Sequence, residues 1–113
     1  MTAALVYVIK FVGDMESAIR FHESELGLDL RFRSPEWTEF NTGPTTLALH
    51  IASPANLAGT CQLGFRVADI DAFCNERSSH GVEVVAPPAE LHGQRVATLR
   101  DTDGAPFSVS DGK

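Results

Sequence analysis

A small number of side chains could do chemistry, and they fall on predicted strands. His50 could accept a proton near neutral pH, but the sequence offers it no nucleophile or carboxylate partner, and a purely structural histidine is the alternative. Glu39 could bind a cationic ligand or remain a solvated charge at a strand edge. Trp37, the only tryptophan, could stack on a flat or cationic compound or lie between two copies of the chain. Arg66 and Arg95 could hold an anionic group or lie at the surface.

The elements that carry these residues form a repeated pattern. Asp14 and Asp69 are 55 positions apart, and Gly27 and Gly81 are 54 positions apart. Each copy has an apolar strand, an aspartate, an amphipathic stretch of helical length, a glycine and another strand. We infer an internal duplication that fills the chain and places a binding site between or beneath its halves.

Hydrophobic periodicity predicts the individual elements. Helices are expected over 14–25 and 69–80, with Asp14 and Asp69 as N-caps, and a linker over 53–59. The expected strands are 4–12, 28–33, 37–41, 45–51, 60–67, 82–85, 95–100 and 106–110. Pro87 and Pro88 should end the sixth of these, so that the second copy shortens or lacks one strand.

Strand alternation predicts two different faces for each sheet. Leu47, Leu49 and Ile51 should face the helix, as should Leu63, Phe65, Val67, Phe107 and Val109. The opposite face mixes polar and small side chains, as expected for the wall of a cavity. The residues predicted to line it are Tyr7, Ile9, Trp37, Glu39, Ala48, His50, Gln62, Arg66 and Ser108.

Bulk composition favours one soluble globular domain. The chain has 113 residues, 43% of them apolar and 21% charged, with a net charge of −6. This acidity argues against nucleic acid or an anionic membrane as a partner. We expect neither a signal peptide nor a transmembrane segment, because the N-terminal stretch lacks a basic region and a cleavage site and no apolar run reaches transmembrane length. Two cysteines, Cys61 and Cys74, lack metal-binding spacing and are expected to be buried thiols of a cytoplasmic protein.

Three segments carry a family resemblance. Val12–Leu28 (VGDMESAIRFHESELGL) resembles the opening motif of the vicinal oxygen chelate superfamily, which includes glyoxalase I, bleomycin-resistance proteins and extradiol dioxygenases. The segments FRVADIDAF, from Phe65, and LRDTDGAPF, from Leu99, are similar to that family's signatures in the second half. The resemblance implies an α+β fold in which two βαβββ modules, residues 1–54 and 59–113 of a single domain, form an incomplete eight-stranded barrel around a concave ligand site.

The resemblance also implies four positions for metal ligands, at Tyr7, Ala48, Gln62 and Ser108. Only Gln62 is of a type that the family uses, and a catalytic cation needs about three protein ligands. We therefore expect no metal cofactor. A shifted ligand set of His50, Gln62 and Glu39 is the alternative.

Two functions of different class remain open. The first is a metal-free protein that binds or sequesters a small cationic or aromatic compound, as bleomycin-resistance proteins do. The second is a metal-dependent lyase, isomerase or dioxygenase. Exposed strand edges and the open half-barrel of the family also predict a homodimer.

Overall fold

The computed structural model describes residues 2–112, which form eight strands and two helical segments in an α+β arrangement. The predicted order βαβββ, repeated twice, is confirmed. The elements are β1 (Ala4–Val12), α1 (Met15–Arg20) continued by a π turn (Phe21–Glu25), β2 (Asp29–Phe32), β3 (Trp37–Asn41), β4 (Thr46–Ile51), β5 (Cys61–Arg66), α2 (Ile70–Ser79), β6 (Val84–Leu91), β7 (Gln94–Arg100) and β8 (Pro106–Ser110).

The chain divides into two compact units with the same strand connections. The first unit is Tyr7–Gln62, and the second comprises the other described residues, including the start of β1. In the first unit β1 pairs in parallel with β4, and the β4–β3 and β3–β2 pairs are antiparallel. In the second unit β5 pairs in parallel with β8, and the β8–β7 and β7–β6 pairs are antiparallel. The matching topology agrees with the duplication inferred from the sequence.

One face of the first unit's sheet packs against α1. Met15 and Ile19 of the helix join Leu49 and Phe40 of the sheet in a buried apolar cluster. Leu47 and Ile51 pack against the same cluster, which confirms the predicted helix-facing positions of β4. Burying a side chain such as Leu49 contributes about 1.5–3 kcal/mol, so this face stabilises the unit and leaves the other face available.

The second unit has its own core beneath α2. Ile70 and Cys74 of the helix pack with Val67, Leu99 and Val109, and Phe107 packs against them. The alternation is thus confirmed for Val67, Phe107 and Val109, but it is wrong for Leu63, which is exposed at the open side of β5, and Phe65 lies outside this cluster. Burial raises the pKa of the Cys74 thiol. The expectation that both cysteines are buried is wrong for Cys61, which is exposed at the first position of a largely exposed strand.

The two helices differ at their C-terminal ends. In the first unit the Leu26 amide donates to the Phe21 carbonyl, five residues back, at 3.3 Å, which is the hydrogen bond of a π turn. In the second unit the His80 amide donates to Glu76, four residues back, at 3.3 Å. The first copy also has one more residue between its aspartate and its glycine, and the π turn accommodates that residue.

The prediction that the proline pair ends a strand is wrong. β6 runs from Val84 to Leu91 through both prolines, and the second module keeps all its strands. β6 is an end strand, and its register with β7 is irregular between Ala86 and Ala89. Proline is tolerated at such a position because its missing amide hydrogen costs no internal ladder bond.

No helix in residues 2–112 is long and apolar enough to cross a membrane.

Candidate functional site

The face of the first unit's sheet opposite α1 brings several of the predicted side chains together. Trp37 on β3 is in register with His50 on β4, and His50 with Phe11 on β1. One step along, Glu39 is in register with Ala48, and Tyr7 lies beside Thr46. Strand alternation therefore projects Tyr7, Trp37, Glu39 and His50 from the same face.

The floor of this face is apolar. Ile9, Phe11 and Ala48 form a small buried cluster, and Tyr7 and Trp37 pack against it. This cluster is separate from the helix-side core. Because buried apolar side chains are closely packed, this floor supports the aromatic and polar groups around it.

Glu39 is the centre of the polar network on this face. Its Oε2 accepts a hydrogen bond from Trp37 Nε1 at 2.8 Å and a longer one from the Tyr7 hydroxyl at 3.4 Å. Its Oε1 accepts from Nε and Nη2 of Arg31, at 3.2 and 2.9 Å. A carboxylate has about four lone-pair sites, and Glu39 uses all of them. We call Tyr7, Arg31, Trp37, Glu39 and His50 the aromatic site.

A β-bulge delivers Arg31 to the aromatic site. Leu30 is in register with Phe40 and Phe32 with Glu39, which leaves Arg31 as the extra residue of β2. Its Nη2 also donates to the Thr46 hydroxyl. Arg31 was absent from the sequence prediction. The signal that could have found it is alternation, since Leu28 and Leu30 pack on the helix side and an odd-numbered neighbour should face the other way.

The Tyr7 hydroxyl remains protonated at neutral pH. Burial raises the pKa of this phenol, and the negative charge of Glu39 raises it further, while Arg31 lowers it. Tyr7 therefore acts as a hydrogen-bond donor to Glu39 and not as an anion.

Among the described residues, His50 has a hydrogen-bond partner for only one of its ring nitrogens. Its Nδ1 lies 2.7 Å from the carbonyl oxygen of Ile51. A carbonyl oxygen can only accept, so Nδ1 carries the proton, and in the neutral ring Nε2 keeps its lone pair. The ring makes edge contacts with Phe11 and Trp37, at centroid distances of 5.5 and 6.0 Å. The ring centroids of Trp37 and Tyr7 are 5.7 Å apart, so the three rings of Tyr7, Trp37 and His50 lie side by side.

Three more of the predicted positions lie on β5 and β8. Gln62 is half-buried at the end of the first unit, and Arg66 and Ser108 belong to the second unit. Of the two roles left open for Arg95, the structure fits the surface one, since its partly exposed guanidinium pairs with Asp71 of α2. That ion pair places Arg95 beside the helix.

The donor atoms do not fit the metal site that the family resemblance implies. Ala48 is fully buried and carries no donor, and Tyr7 is a protonated phenol that donates to Glu39. The shifted set fares no better, because both oxygens of Glu39 already accept from protein donors. Among residues 2–112, no three His, Cys, Asp or Glu side chains gather as metal ligands would.

A second concave region lies at the start of α1. It is a shallow depression of about 500 Å³ lined by Gly13, Asp14, Met15, Glu16, Arg33, Ser34, Pro35 and Ile51. Its charged groups already have protein partners, and Arg33 pairs with Glu16. Asp14 accepts a hydrogen bond from the Ser17 hydroxyl at 2.6 Å, and this bond lowers the pKa of the Asp14 carboxyl. It includes none of the predicted site residues.

The fold and these positions agree with one protein family. A family model described as the Glyoxalase/Bleomycin resistance protein/Dioxygenase superfamily matches residues 4–109. The chain belongs to this superfamily. An uncharacterised protein of Mycolicibacterium smegmatis is 28% identical over 98 residues, which are 86% of this chain and 84% of that protein.

Solved structures show the same fold at low sequence identity. Methylmalonyl-CoA epimerase from Mycobacterium tuberculosis superposes with a TM-score of 0.79 at 20% identity, covering 95% of this chain and 86% of the epimerase. A hypothetical protein from Bacillus halodurans C-125 superposes with a TM-score of 0.81 at 16% identity, covering 100% of this chain and 96% of that protein. These similarities show the fold, and one fold can host more than one chemistry.

Proposed function

We propose that this superfamily member binds a small aromatic compound at the aromatic site and works without a metal cofactor. The observation that carries the proposal is the orientation of Trp37, whose indole N–H is fixed to Glu39 at 2.8 Å. A ring held in this way offers its face or edge to a flat ligand with little further loss of rotamer entropy.

The charge balance favours an aromatic ligand over a simple cation. Glu39, the acidic group of the site, is already neutralised by Arg31 and hydrogen-bonded by Trp37 and Tyr7. A cationic compound would have to displace the Arg31 guanidinium. Of the two ligand classes expected from the sequence, the aromatic one therefore has the stronger support.

Binding has stronger support than catalysis at this site. Tyr7 is held protonated by burial, and Glu39 accepts from protein donors at both oxygens. Neither group is poised to move a proton. Sequestration of the ligand needs only the apolar floor and the three rings.

The test uses the intrinsic fluorescence of Trp37, which is the only tryptophan of the chain. We expect saturable quenching by two-ring aromatic probes, confirmed by calorimetry. Tyr7→Ala should weaken binding about three- to tenfold, since aromatic contacts contribute about 0.5–1.5 kcal/mol. Phe21→Ala is the matched control, because Phe21 is 50% exposed on the helical segment. Absence of saturable quenching, or equal affinity of the Tyr7 variant and the control, would contradict the proposal.

One observation favours a metal-assisted enzyme as the second candidate. A histidine that donates Nδ1–H to a carbonyl is oriented to offer Nε2 to a metal ion, and His50 has this arrangement. Calorimetry with Ni²⁺, Zn²⁺, Mn²⁺ and Fe²⁺ tests this candidate. Tight binding that is lost in His50→Ala would place the enzyme first.

A further inference from the structure

The three guanidinium nitrogens of Arg31 differ in the hydrogen bonds that they make. Nε and Nη2 bind Glu39, and Nη2 also donates to Thr46. Within the described part of the chain, Nη1 makes no hydrogen bond to a protein acceptor, and 44% of the side chain is exposed. A guanidinium held on one edge presents its other edge in a fixed direction, which is the arrangement of an anion anchor.

The acidic partner of Arg31 does not cancel this role. The charges of Glu39 and Arg31 sum to zero, but Glu39 turns both oxygens inward, toward Arg31 on one side and toward Trp37 and Tyr7 on the other. The Glu39 side chain is only 18% exposed. A ligand on the rings therefore meets the exposed guanidinium edge before it meets the carboxylate.

We propose that the ligand of the aromatic site is an aromatic carboxylate, with its ring on Trp37 and Tyr7 and its carboxylate bound by Nη1 of Arg31. This inference rests on the proposed function and narrows its ligand class. Arg31 is the residue that determines specificity, and Glu39 is a positioning residue that holds the guanidinium and the indole in place.

The expected preference for a carboxylate depends on nearby charges and not on the overall charge of the protein. The chain carries a net charge of −6, which by itself would disfavour an anion. Charges farther away than a Debye length, about 8 Å at physiological salt, act weakly compared with a direct charge-assisted hydrogen bond. Selectivity should therefore follow Arg31 and not the net charge.

The experiment compares three probes that share one ring system: 2-naphthoate, 2-naphthylmethanol and 2-naphthylmethylammonium. Affinities are measured by Trp37 quenching and by calorimetry at one fixed ionic strength of about 0.15 M. We expect the carboxylate to bind at least about fivefold more tightly than the alcohol, which is the size expected for one partly exposed charge-assisted hydrogen bond. The ammonium probe should bind least tightly.

Substitutions at Arg31 separate its charge from its shape. Arg31→Gln should abolish the preference for the carboxylate and make the ammonium probe the tightest, because Glu39 then lacks its counter-charge. Arg31→Lys should keep part of the preference, since lysine retains the charge but not the planar fork. Arg33→Gln is the matched control: it removes the same charge two residues away, from a side chain paired with Glu16, and should leave the order of the probes unchanged.

The outcomes distinguish this inference from the proposed function. If all three probes quench Trp37 saturably but the alcohol binds as tightly as the carboxylate, the carboxylate inference is overturned and aromatic binding stands. The carboxylate inference is also overturned if Arg33→Gln changes the order of the three probe affinities as much as Arg31→Gln does. If no probe quenches Trp37 saturably, both fail together. Circular dichroism of each variant confirms that loss of binding is not loss of fold.

Discussion

At the scale of single residues, Glu39 orders a surface that its neighbours could not order alone. Indole and phenol rings pack well but have no strong preference for direction on an apolar floor. By accepting from Trp37 Nε1 and from the Tyr7 hydroxyl, Glu39 fixes both rings. Arg31 forms an ion pair with this carboxylate, whose side chain is mostly buried.

Titration of Tyr7 tests this arrangement directly. Tyr7 is the only tyrosine of the chain, so its phenolate absorbance reports one group. We expect a pKa above the ordinary value of about 10, because burial and Glu39 both disfavour the phenolate. Glu39→Gln should lower the pKa only part of the way, since burial is the larger cause. Glu36→Gln, at an exposed carboxylate, should leave it unchanged.

The same shift sets the sign of a pH effect on stability. The native phenol has a higher pKa than the unfolded one, so native Tyr7 holds its proton more tightly. Its contribution is complete below about pH 10 and is lost as pH rises through the native pKa. Tyr7→Phe should flatten this part of the alkaline stability profile measured by urea unfolding. An unchanged slope in the variant would contradict the shift.

Sequence reasoning found part of this site and missed its organisation. Alternation along the strands placed Tyr7, Trp37, Glu39 and His50 on one face, and the strand register agrees. Alternation from Leu28 and Leu30 also puts Arg31 on this face, but its pairing with Glu39 depends on the bulge between β2 and β3, which the sequence does not show. Sequence reasoning also assigned Glu39 to solvent or to a ligand, since a carboxylate's partners on other strands are invisible in a linear sequence.

At the scale of elements, the turn of the hairpin between β6 and β7 contains a residue that is not the preferred one for its backbone conformation. Its two turn residues are His92 and Gly93, with φ of 51° and 81°. Both lie in the left-handed region that a two-residue hairpin requires. Asparagine is the preferred residue before glycine in such a turn, so His92 is not the most stabilising choice at its position.

Substitutions in this turn should change stability in opposite directions. His92→Asn should raise the free energy of unfolding by about 0.5 kcal/mol, and Gly93→Ala should lower it by about 1 kcal/mol or more. The control is Gly13→Ala, where a new Cβ would lie 3.8 Å from the nearest side-chain atom. We expect a near-neutral effect there. Chemical denaturation measures all three, and a destabilising His92→Asn would contradict the assignment.

Most elements were predictable because each is fixed by short-range patterns. The bounds of β1, β3 and β8 agree with the apolar runs and the turns that flank them. β6 was not predicted correctly, because Pro87 and Pro88 usually end strands. Their tolerance depends on β6 being the last strand of its sheet, which only the assembled sheet reveals.

At the scale of the whole molecule, we propose a homodimer that uses the β2 edge of the first unit. β2 is an end strand, and its Phe32 is 52% exposed. Light scattering should report a dimer whose dissociation constant rises at least tenfold in Phe32→Lys, because a buried charge without a partner is costly. Leu57→Lys, at a 63% exposed leucine outside the strands, should have no effect. A monomer at all concentrations would contradict this prediction.

The duplication made the superfamily recognisable from the sequence, but not the activity. Paired motifs around Asp14 and Asp69 are required by the fold and recur whatever the ligand. Ligand choice depends on a few inward side chains. In this chain those side chains are hydrogen-bonded to one another. Such pairing appears only once the strands are placed side by side.

The π turn at Phe21–Glu25 carries information about the history of the molecule. Two copies of one ancestral segment began with equal length, so the additional residue in the first copy, relative to the second, records a change that followed the copying event. The turn confined that change to five residues. The helix before it and the strand after it correspond to those of the second copy, so the two copies differ in length without differing in the order of their elements.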